Sequence, residues 1–146
     1  MKVVIDASVV LKWLLADEAR ESNTRQALEV LQGLREGTLH AMQPVHWLAE
    51  VAAVLAREAP GQAAPALDLL DAMELPVESD VLLIKQAAVL SSQLDHHLFD
   101  TLYHALALRS GAWLVTADSR YFRKAAAQGR ILRLEDWPPG EISREG

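Results

Sequence analysis

Short apolar runs alternate with longer segments of mixed polarity along the chain, and this alternation predicts strands that take turns with helices. The runs Lys2–Ile5 and 113–115 are rich in branched or aromatic side chains, which favours strands buried on both faces. Weaker strand signals lie at 39–42, 75–77 and 131–134. Strands separated by helices pair in parallel, because each helical crossover returns the chain to the same end of the sheet. The pattern therefore predicts an α/β domain with a parallel sheet.

The helices are predicted from apolar spacing and from the residues that start and stop them. They are expected over 6–15, 21–36, 45–58, 63–73, 80–93, 99–109 and 119–128. The predicted apolar stripe of the second helix consists of Ala27, Leu28, Leu31 and Leu34. Gly37 is placed to end that helix, Pro44 stands where the third should begin, and Ser79 is the expected N-cap of the fifth. Pro60-Gly61 predicts a break between the third and fourth helices.

The composition fits one globular domain. Of 146 residues, 51% are hydrophobic and 23% charged, which excludes disorder of the whole chain and supports a single core. We expect one domain over 1–137 and a short mobile tail over 138–146. There is no cysteine, so disulfides, thiolate metal sites and cysteine nucleophiles are excluded. Because no apolar run is long enough for a signal-peptide core or a membrane span, we expect a cytoplasmic protein without a membrane segment.

Charge is unevenly distributed along the chain. The total is −6 at neutral pH, which does not favour a simple nucleic-acid coat. Residues 109–134 nevertheless contain six basic residues and one acidic residue. Two interpretations of this basic segment stay open: a solvated helix face, or a basic rim that holds a polyanion beside an acidic centre.

Four carboxylates occupy positions where apolar residues dominate. Asp6 directly follows the first buried strand, and Asp118 comes shortly after a later one. Both are aimed at one edge of the sheet, since the carboxyl ends of parallel strands form the ligand crevice. Glu50 and Asp100 are each the only formal charge in an apolar helical stretch. Helix N-capping is the alternative role for the two strand-end acids, and a water-facing position is the alternative for the two helical ones.

Converging carboxylates need a compensating positive charge. Two like charges about 4 Å apart repel by about 4 kcal/mol at an effective dielectric constant of about 20. A divalent cation removes that cost, and an all-oxygen ligand set suits Mg²⁺ or Mn²⁺. Such a cation bridges phosphate oxygens and activates water, so the four acids point to hydrolysis of a phosphodiester.

Four short blocks stand in order along the chain. They are Val-Val-Ile-Asp-Ala-Ser from residue 3, the block over 44–55 with Glu50, Phe-Asp-Thr-Leu-Tyr-His-Ala-Leu-Ala from residue 99, and Leu-Val-Thr-Ala-Asp from residue 114. Together they resemble PIN-domain ribonucleases, and more narrowly the VapC-type toxins of bacterial and archaeal toxin–antitoxin pairs. The chain departs from this pattern at Ala53, where relatives often have asparagine, and at Thr101, where many have a small residue. Both departures concern substrate contacts and leave the four acids in place.

The resemblance implies a three-layer α/β/α fold and a metal-dependent endoribonuclease that hydrolyses RNA with a metal-bound water. The residues it assigns to catalysis and to binding of Mg²⁺ or Mn²⁺ are Asp6, Glu50, Asp100 and Asp118. Ser8 and Thr116 match positions that hydrogen-bond near the metal or orient its ligands. Capping or turn formation is the alternative role for these two hydroxyls.

Partners follow from the same resemblance. Arg120, Arg123 and Lys124 come soon after the fourth acid and are expected to contact RNA phosphates. A cognate antitoxin that covers the active-site groove is implied, as is a homodimer. A phosphoacceptor domain of receiver type is disfavoured, because Asp6 has no adjacent acid and no lysine ends a late strand. A catalytically silent PIN-like module that acts through protein or RNA binding is disfavoured, because all four acids are present.

Two histidines have the spacing to share a helix face with one of these acids. His46 precedes Glu50 by four residues, and His104 follows Asp100 by four. A histidine beside a carboxylate can bind Zn²⁺ or Mn²⁺, or it can pack and hydrogen-bond at the edge of the site. The sequence assigns no role to His96, which falls in an expected loop.

Overall fold

A computed structural model describes residues 1–15 and 22–140 of the chain. In chain order, the elements are β1 (Lys2–Ile5), α1 (Ala7–Leu14), α2 (Thr24–Glu36), β2 (His40–Ala41), β3 (Gln43–Pro44), α3 (Trp47–Glu58), α4 (Pro60–Asp71), β4 (Val77–Glu78), α5 (Val81–Leu94), α6 (Leu98–Ser110), β5 (Trp113–Thr116), α7 (Ser119–Ala125) and β6 (Ile131–Arg133). Short 3₁₀ turns follow α7 and β6. Strands and helices therefore alternate as the polarity pattern predicts.

The central sheet is parallel throughout, with strand order β2-β1-β5-β6. Val3 lies opposite Trp113 and Ile5 opposite Val115, so β1 and β5 end at the same edge of the sheet. Seven helices of the described residues flank the sheet, and β3 and β4 form a separate parallel pair. The predicted α/β/α architecture with a central parallel sheet is confirmed.

The buried side chain of Gln43 hydrogen-bonds the end of β1, beyond the point where the neighbouring strand β2 has ended. The Ile5 amide donates to Gln43 Oε1, and Gln43 Nε2 donates to the Ile5 carbonyl, both at 2.8 Å. On the other side of β1, the Asp6 amide donates to the Val115 carbonyl at 3.0 Å. Because these buried backbone groups are all paired, the chain is fixed on both sides at the point where Asp6 leaves the sheet.

Helix α6 runs through the interior of the fold. Its residues 101–107 are all buried, and the helix packs against α5, β1, β3 and β5. Thr101 Oγ1 lies 3.0 Å from the Ala87 carbonyl of α5 and 2.8 Å from the Leu98 carbonyl. Thr101, one of the two departures from the family pattern, therefore links the start of α6 to α5 through its hydroxyl.

Two helix starts differ from the prediction at prolines. Gln43–Pro44 form strand β3, so α3 begins at Trp47 and not at residue 45. The break between α3 and α4 falls at Ala59, and Pro60 starts α4. Proline suits this position because its fixed φ fits the first helical turn, where the backbone needs no amide hydrogen.

The buried face of helix α2 overlaps the predicted stripe only in part. Ala27 is fully buried and Leu34 packs against the core as predicted, but Val30 is also fully buried and Leu28 is 41% exposed. Gly33 accounts for this orientation, because a Cβ atom there would lie 2.7 Å from the Leu39 side chain. The helix approaches the core most closely through its glycine, and the larger leucine is left outside. The predicted start of this helix at residue 21 lies outside the described residues.

Smaller differences concern caps and ends. Asp80, and not Ser79, caps α5, with its Oδ1 accepting from the Leu83 amide at 2.7 Å. The helix predicted over 119–128 is α-helical to Ala125 and continues as a 3₁₀ turn. Residues 141–146 of the predicted tail lie outside the described residues. No helix within 1–15 and 22–140 is long and apolar enough to cross a membrane.

Candidate active site

The four predicted acids all lie at helix N-termini. Asp6 is the N-cap of α1 and Asp118 is the N-cap of α7. Glu50 lies in the first turn of α3 and Asp100 in the first turn of α6. The partial positive charge of each helix start favours a carboxylate there. We call these four residues the acidic cluster.

Asp6 and Asp118 are joined by a hydrogen-bond network across the sheet edge. Asp6 Oδ2 accepts from the Ser8 amide at 3.1 Å, from the Ser8 hydroxyl, and from Thr116 Oγ1 at 3.4 Å. The Ala117 amide donates to Ser8 Oγ and the Asp118 amide donates to Thr116 Oγ1, both at 3.0 Å. The Ser8 and Thr116 hydroxyls therefore hold the Asp6 carboxylate, whereas the Asp118 carboxylate accepts from the Tyr121 amide at 3.0 Å.

The acids of the cluster are close enough to shift one another's pKa. Burial raises the pKa of Asp6 to about 7, and the charges of Asp100 and Glu50 add to the rise against hydrogen bonds from Ser8 that lower it. Burial also raises the pKa of Asp100, with further contributions from Glu50 and Asp118. None of the ion pairs between described residues joins an acid of this cluster to a lysine or arginine. Within the described residues, the ion-pair partners of these acids are His46 and His96.

His46 contacts Glu50, as its spacing predicts. Its Nε2 lies 2.8 Å from Glu50 Oε1 and 2.9 Å from the Phe99 carbonyl. The ring of Tyr103 lies beside it, with centroids 4.8 Å apart. The Tyr103 hydroxyl is buried without a hydrogen-bond partner among the described residues. Burial raises the pKa of this phenol, as do the nearby charges of Asp6 and Glu50, so the hydroxyl keeps its proton.

His96 contacts Asp100, which the sequence analysis did not predict. His96 Nε2 lies 2.7 Å from Asp100 Oδ2, and the histidine side chain is only 7% exposed. Its spacing of four residues from the acid was the available signal. In an expected loop such a spacing does not imply a shared face, which is why the sequence analysis assigns His96 no role.

His104 faces away from the acidic cluster. Its Nε2 donates to the Gly129 carbonyl at 2.8 Å, and the Tyr121 hydroxyl lies 2.8 Å from its Nδ1. Burial lowers the pKa of His104, so the ring is neutral and Nδ1 accepts from Tyr121. His104 therefore joins α6 to α7 and is not in contact with Asp100.

The donor atoms present suit a divalent cation. One ligand atom each from His96, Asp100 and Asp118 lie within 4.8 Å of one another. Carboxylate oxygens with one imidazole nitrogen form a set that Mn²⁺ accepts readily and that Mg²⁺ accepts through its oxygens. The charges of Asp6 and Glu50 interact with that of Asp100 in this set, so the residues present fit the expected metal.

Comparison with protein families decides the affiliation of the chain. The model of the PIN domain matches residues 3–128, which include all four acids. The chain belongs to the PIN domain family. A comparison with curated proteins finds no significant match.

Solved structures share the fold of this PIN domain. PAE2754 from Pyrobaculum aerophilum matches with a TM-score of 0.65 and 17% identity, covering 92% of this chain and 90% of that one. VapBC2 from Rickettsia felis, bound to a DNA fragment from their promoter, gives a TM-score of 0.65, 14% identity and coverages of 91% and 98%. VapBC-1 from nontypeable Haemophilus influenzae gives a TM-score of 0.65 and 16% identity, covering 92% of this chain and 99% of that one. At these identities the likeness shows a common fold.

A polar groove lies beside the acidic cluster of the PIN domain. It has a volume of about 470 Å³, and its lining includes Ser91, His96, Arg120 and Lys124. Lys124 Nζ donates to the Asp95 carbonyl at 2.8 Å, which fixes the ammonium at the wall. Arg123 is exposed on α7 and does not line the groove. We call this groove the basic groove.

Three other cations of the basic segment interact with the protein itself. Arg109 pairs with Glu78 and Asp80. The guanidinium of Arg130 lies 4.9 Å from the centre of the Trp113 ring. Arg133 pairs with two acids of the 3₁₀ turn that follows β6. The part of the segment that lines the basic groove is therefore confined to α7.

Proposed function

We propose that this PIN domain is a metal-dependent endoribonuclease, the toxin component of a toxin–antitoxin pair of the VapC type, acting in the cytoplasm. The observation that carries the proposal is the acidic cluster, whose charges converge at one sheet edge without a cationic partner among the described residues. The PIN match and the fold shared with two VapBC structures support the same function.

The residues around the acidic cluster have separate tasks in this proposal. Asp6, Glu50, Asp100 and Asp118 hold Mg²⁺ or Mn²⁺. When bound, the cation supplies charge that stabilises a phosphodiester under attack and lowers the pKa of the attacking water. Ser8 and Thr116 hold the Asp6 carboxylate in place through their hydroxyl groups. Arg120 and Lys124 hold the flanking RNA phosphates, and Arg123 adds long-range attraction.

The partners we propose are a cognate antitoxin and a second copy of the chain. The two VapBC structures of the same fold support the antitoxin. For the homodimer, α5 offers an apolar surface, since Val81, Leu82 and Val89 are each more than half exposed. Light scattering on the wild type and on a Leu82→Glu/Val89→Glu variant tests this surface, and a variant as dimeric as the wild type would exclude it.

The function is tested by cleavage of a structured RNA pool. The wild-type protein is stripped with EDTA and then supplied with Mg²⁺ or Mn²⁺, beside an Asp6→Asn/Asp118→Asn variant purified in the same way. Asp68→Asn, on the exposed side of α4, is the matched control for loss of a carboxylate. We expect metal-restored cleavage in the wild type and in the control, and none in the double variant. If the wild type binds RNA but leaves it intact with either cation, the chain is a silent binding module.

A further inference from the structure

We propose that His96 supplies an imidazole nitrogen to the cation held by Asp100 and Asp118, and that this nitrogen makes the centre prefer Mn²⁺ to Mg²⁺. The inference rests on the proposed metal centre and specifies its ligands and its cation. An all-carboxylate centre would distinguish the two cations weakly, because both accept oxygen ligands.

The position of the His96 ring is the first observation that supports ligation. Its Nε2 lies 2.7 Å from Asp100 Oδ2. Two ligand atoms that share one cation at right angles, with bonds of about 2.2 Å, are about 3.1 Å apart. The pair therefore needs to open by only a few tenths of an ångström to receive an ion. The Asp118 carboxylate completes a group whose ligand atoms lie within 4.8 Å of one another.

The ring is also held firmly enough to act as a ligand. The His96 side chain is 7% exposed and packs against the Tyr121 ring, with centroids 4.8 Å apart. His97 lies edge-on to it at 5.6 Å and is itself exposed. A buried imidazole held by an aromatic neighbour loses little freedom on coordination, which favours binding.

The choice of cation follows from ligand chemistry. Imidazole nitrogen binds transition metals more strongly than it binds Mg²⁺, which prefers hard oxygen ligands. One nitrogen in the set therefore strengthens Mn²⁺ binding and adds little for Mg²⁺. Removing the nitrogen should narrow the difference in affinity between Mn²⁺ and Mg²⁺.

The test measures binding of Mn²⁺ and Mg²⁺ to the protein without RNA. Calorimetry gives Kd for both ions with the wild type, with His96→Gln and with the matched control His97→Gln. Glutamine can still hydrogen-bond Asp100 but removes the imidazole. We expect His96→Gln to weaken Mn²⁺ binding at least about tenfold and Mg²⁺ binding less than about threefold. His97→Gln should leave both unchanged.

A spectroscopic readout separates ligation from mere positioning. Electron spin-echo modulation of bound Mn²⁺ should show a coordinated nitrogen in the wild type and in His97→Gln, and none in His96→Gln. Absence of the nitrogen signal in the wild type, or equal weakening of both cations in His96→Gln, would overturn the inference. Wild-type protein that cleaves RNA with either metal but lacks the nitrogen signal would overturn the inference alone. Wild-type protein that binds neither cation would overturn the proposed function as well.

Discussion

Two groups of carboxylates in this molecule start from the same local structure and end in opposite electrostatic states. Asp6 caps α1 and Asp80 caps α5, so each benefits from a helix start. Asp80 lies 2.8 and 2.9 Å from Arg109 Nη1, and the hydrogen bond to this arginine lowers its pKa. None of the ion pairs between described residues contains Asp6, and burial raises its pKa to about 7. The helix start is common to both, so it does not account for the difference.

The difference teaches where the fold leaves charge uncompensated. At the start of α5, one arginine serves two exposed acids, Glu78 and Asp80. At the carboxyl edge of the sheet, four acids share two histidines and two hydroxyl groups. Burying like charges without a counter-ion costs free energy unless protons or a cation join them. The acids at α5 are thus neutralised by an arginine, whereas within the described residues the acids of the acidic cluster have only histidines as ion-pair partners.

The largest expected effect is a loss of RNA cleavage, which should occur for the acidic cluster and not for the acids at α5. Asp6→Asn should lower RNA cleavage at least a hundredfold, by analogy with the loss of one group that stabilises charge in a transition state, about 10²–10³. Asparagine is also a good N-cap, so α1 should stay folded. Asp80→Asn removes an acid of the same type and should leave the cleavage rate unchanged. Cleavage rates and circular dichroism of both variants check this, and equal losses in the two would break the comparison.

The second prediction concerns stability against pH in EDTA. Because the folded-state pKa of Asp6 is raised, its contribution to the free energy of unfolding is fully present below about pH 4 and is lost as pH rises through about 7. Asp6→Asn should abolish this loss of unfolding free energy, and it should therefore stabilise the metal-free protein at pH 8 by up to about 4 kcal/mol.

Asp80 provides the control with the opposite sign. Its lowered pKa stabilises the fold above about pH 4, and that contribution is lost as pH falls further. Thermal melts from pH 3 to pH 8 should therefore show Asp6→Asn differing from the wild type on the neutral side. Asp80→Asn should lose stability relative to the wild type at neutral pH, with that loss shrinking on the acidic side. A wild-type protein in EDTA that gains stability from pH 5 to pH 8 relative to Asp6→Asn would contradict the account.

The smallest expected effect compares three arginines. Arg120→Glu should weaken RNA binding about tenfold at low salt and less at high salt, because phosphate contacts release counter-ions. Arg123→Glu should have a smaller effect, since this residue lies outside the basic groove. Arg109→Gln should have the least, since Arg109 is paired with Glu78 and Asp80. RNA affinities at two salt concentrations, measured in an Asp6→Asn background to prevent cleavage, establish the order.

Elements with a strong local signal could be predicted from the sequence. The apolar runs of β1 and β5 and the long apolar stretch of α6 gave the parallel sheet and its central helix. The positions of Asp6 and Asp118 followed, because strand-end residues of neighbouring parallel strands must meet at one edge. Their roles as metal ligands stay proposals.

Features that depend on tertiary contact could not be predicted. Gln43 was part of an expected loop, yet its amide takes the place of a strand beside Ile5. Leu28 fits a helical stripe by spacing, but the helix approaches Leu39 closely through Gly33 and leaves Leu28 exposed. His96 belongs to no helix, and its contact with Asp100 arises from the turn between α5 and α6. In each case, packing between distant segments overrides the local pattern.

Calorimetric titration of EDTA-stripped protein with Mn²⁺ tests the central claim most directly. The account predicts a saturable site in the wild type that is lost in Asp6→Asn/Asp118→Asn and retained in Glu78→Gln/Asp80→Asn. Binding that survives in the first variant, or disappears in the second, would contradict the claim that the acidic cluster is the cation site.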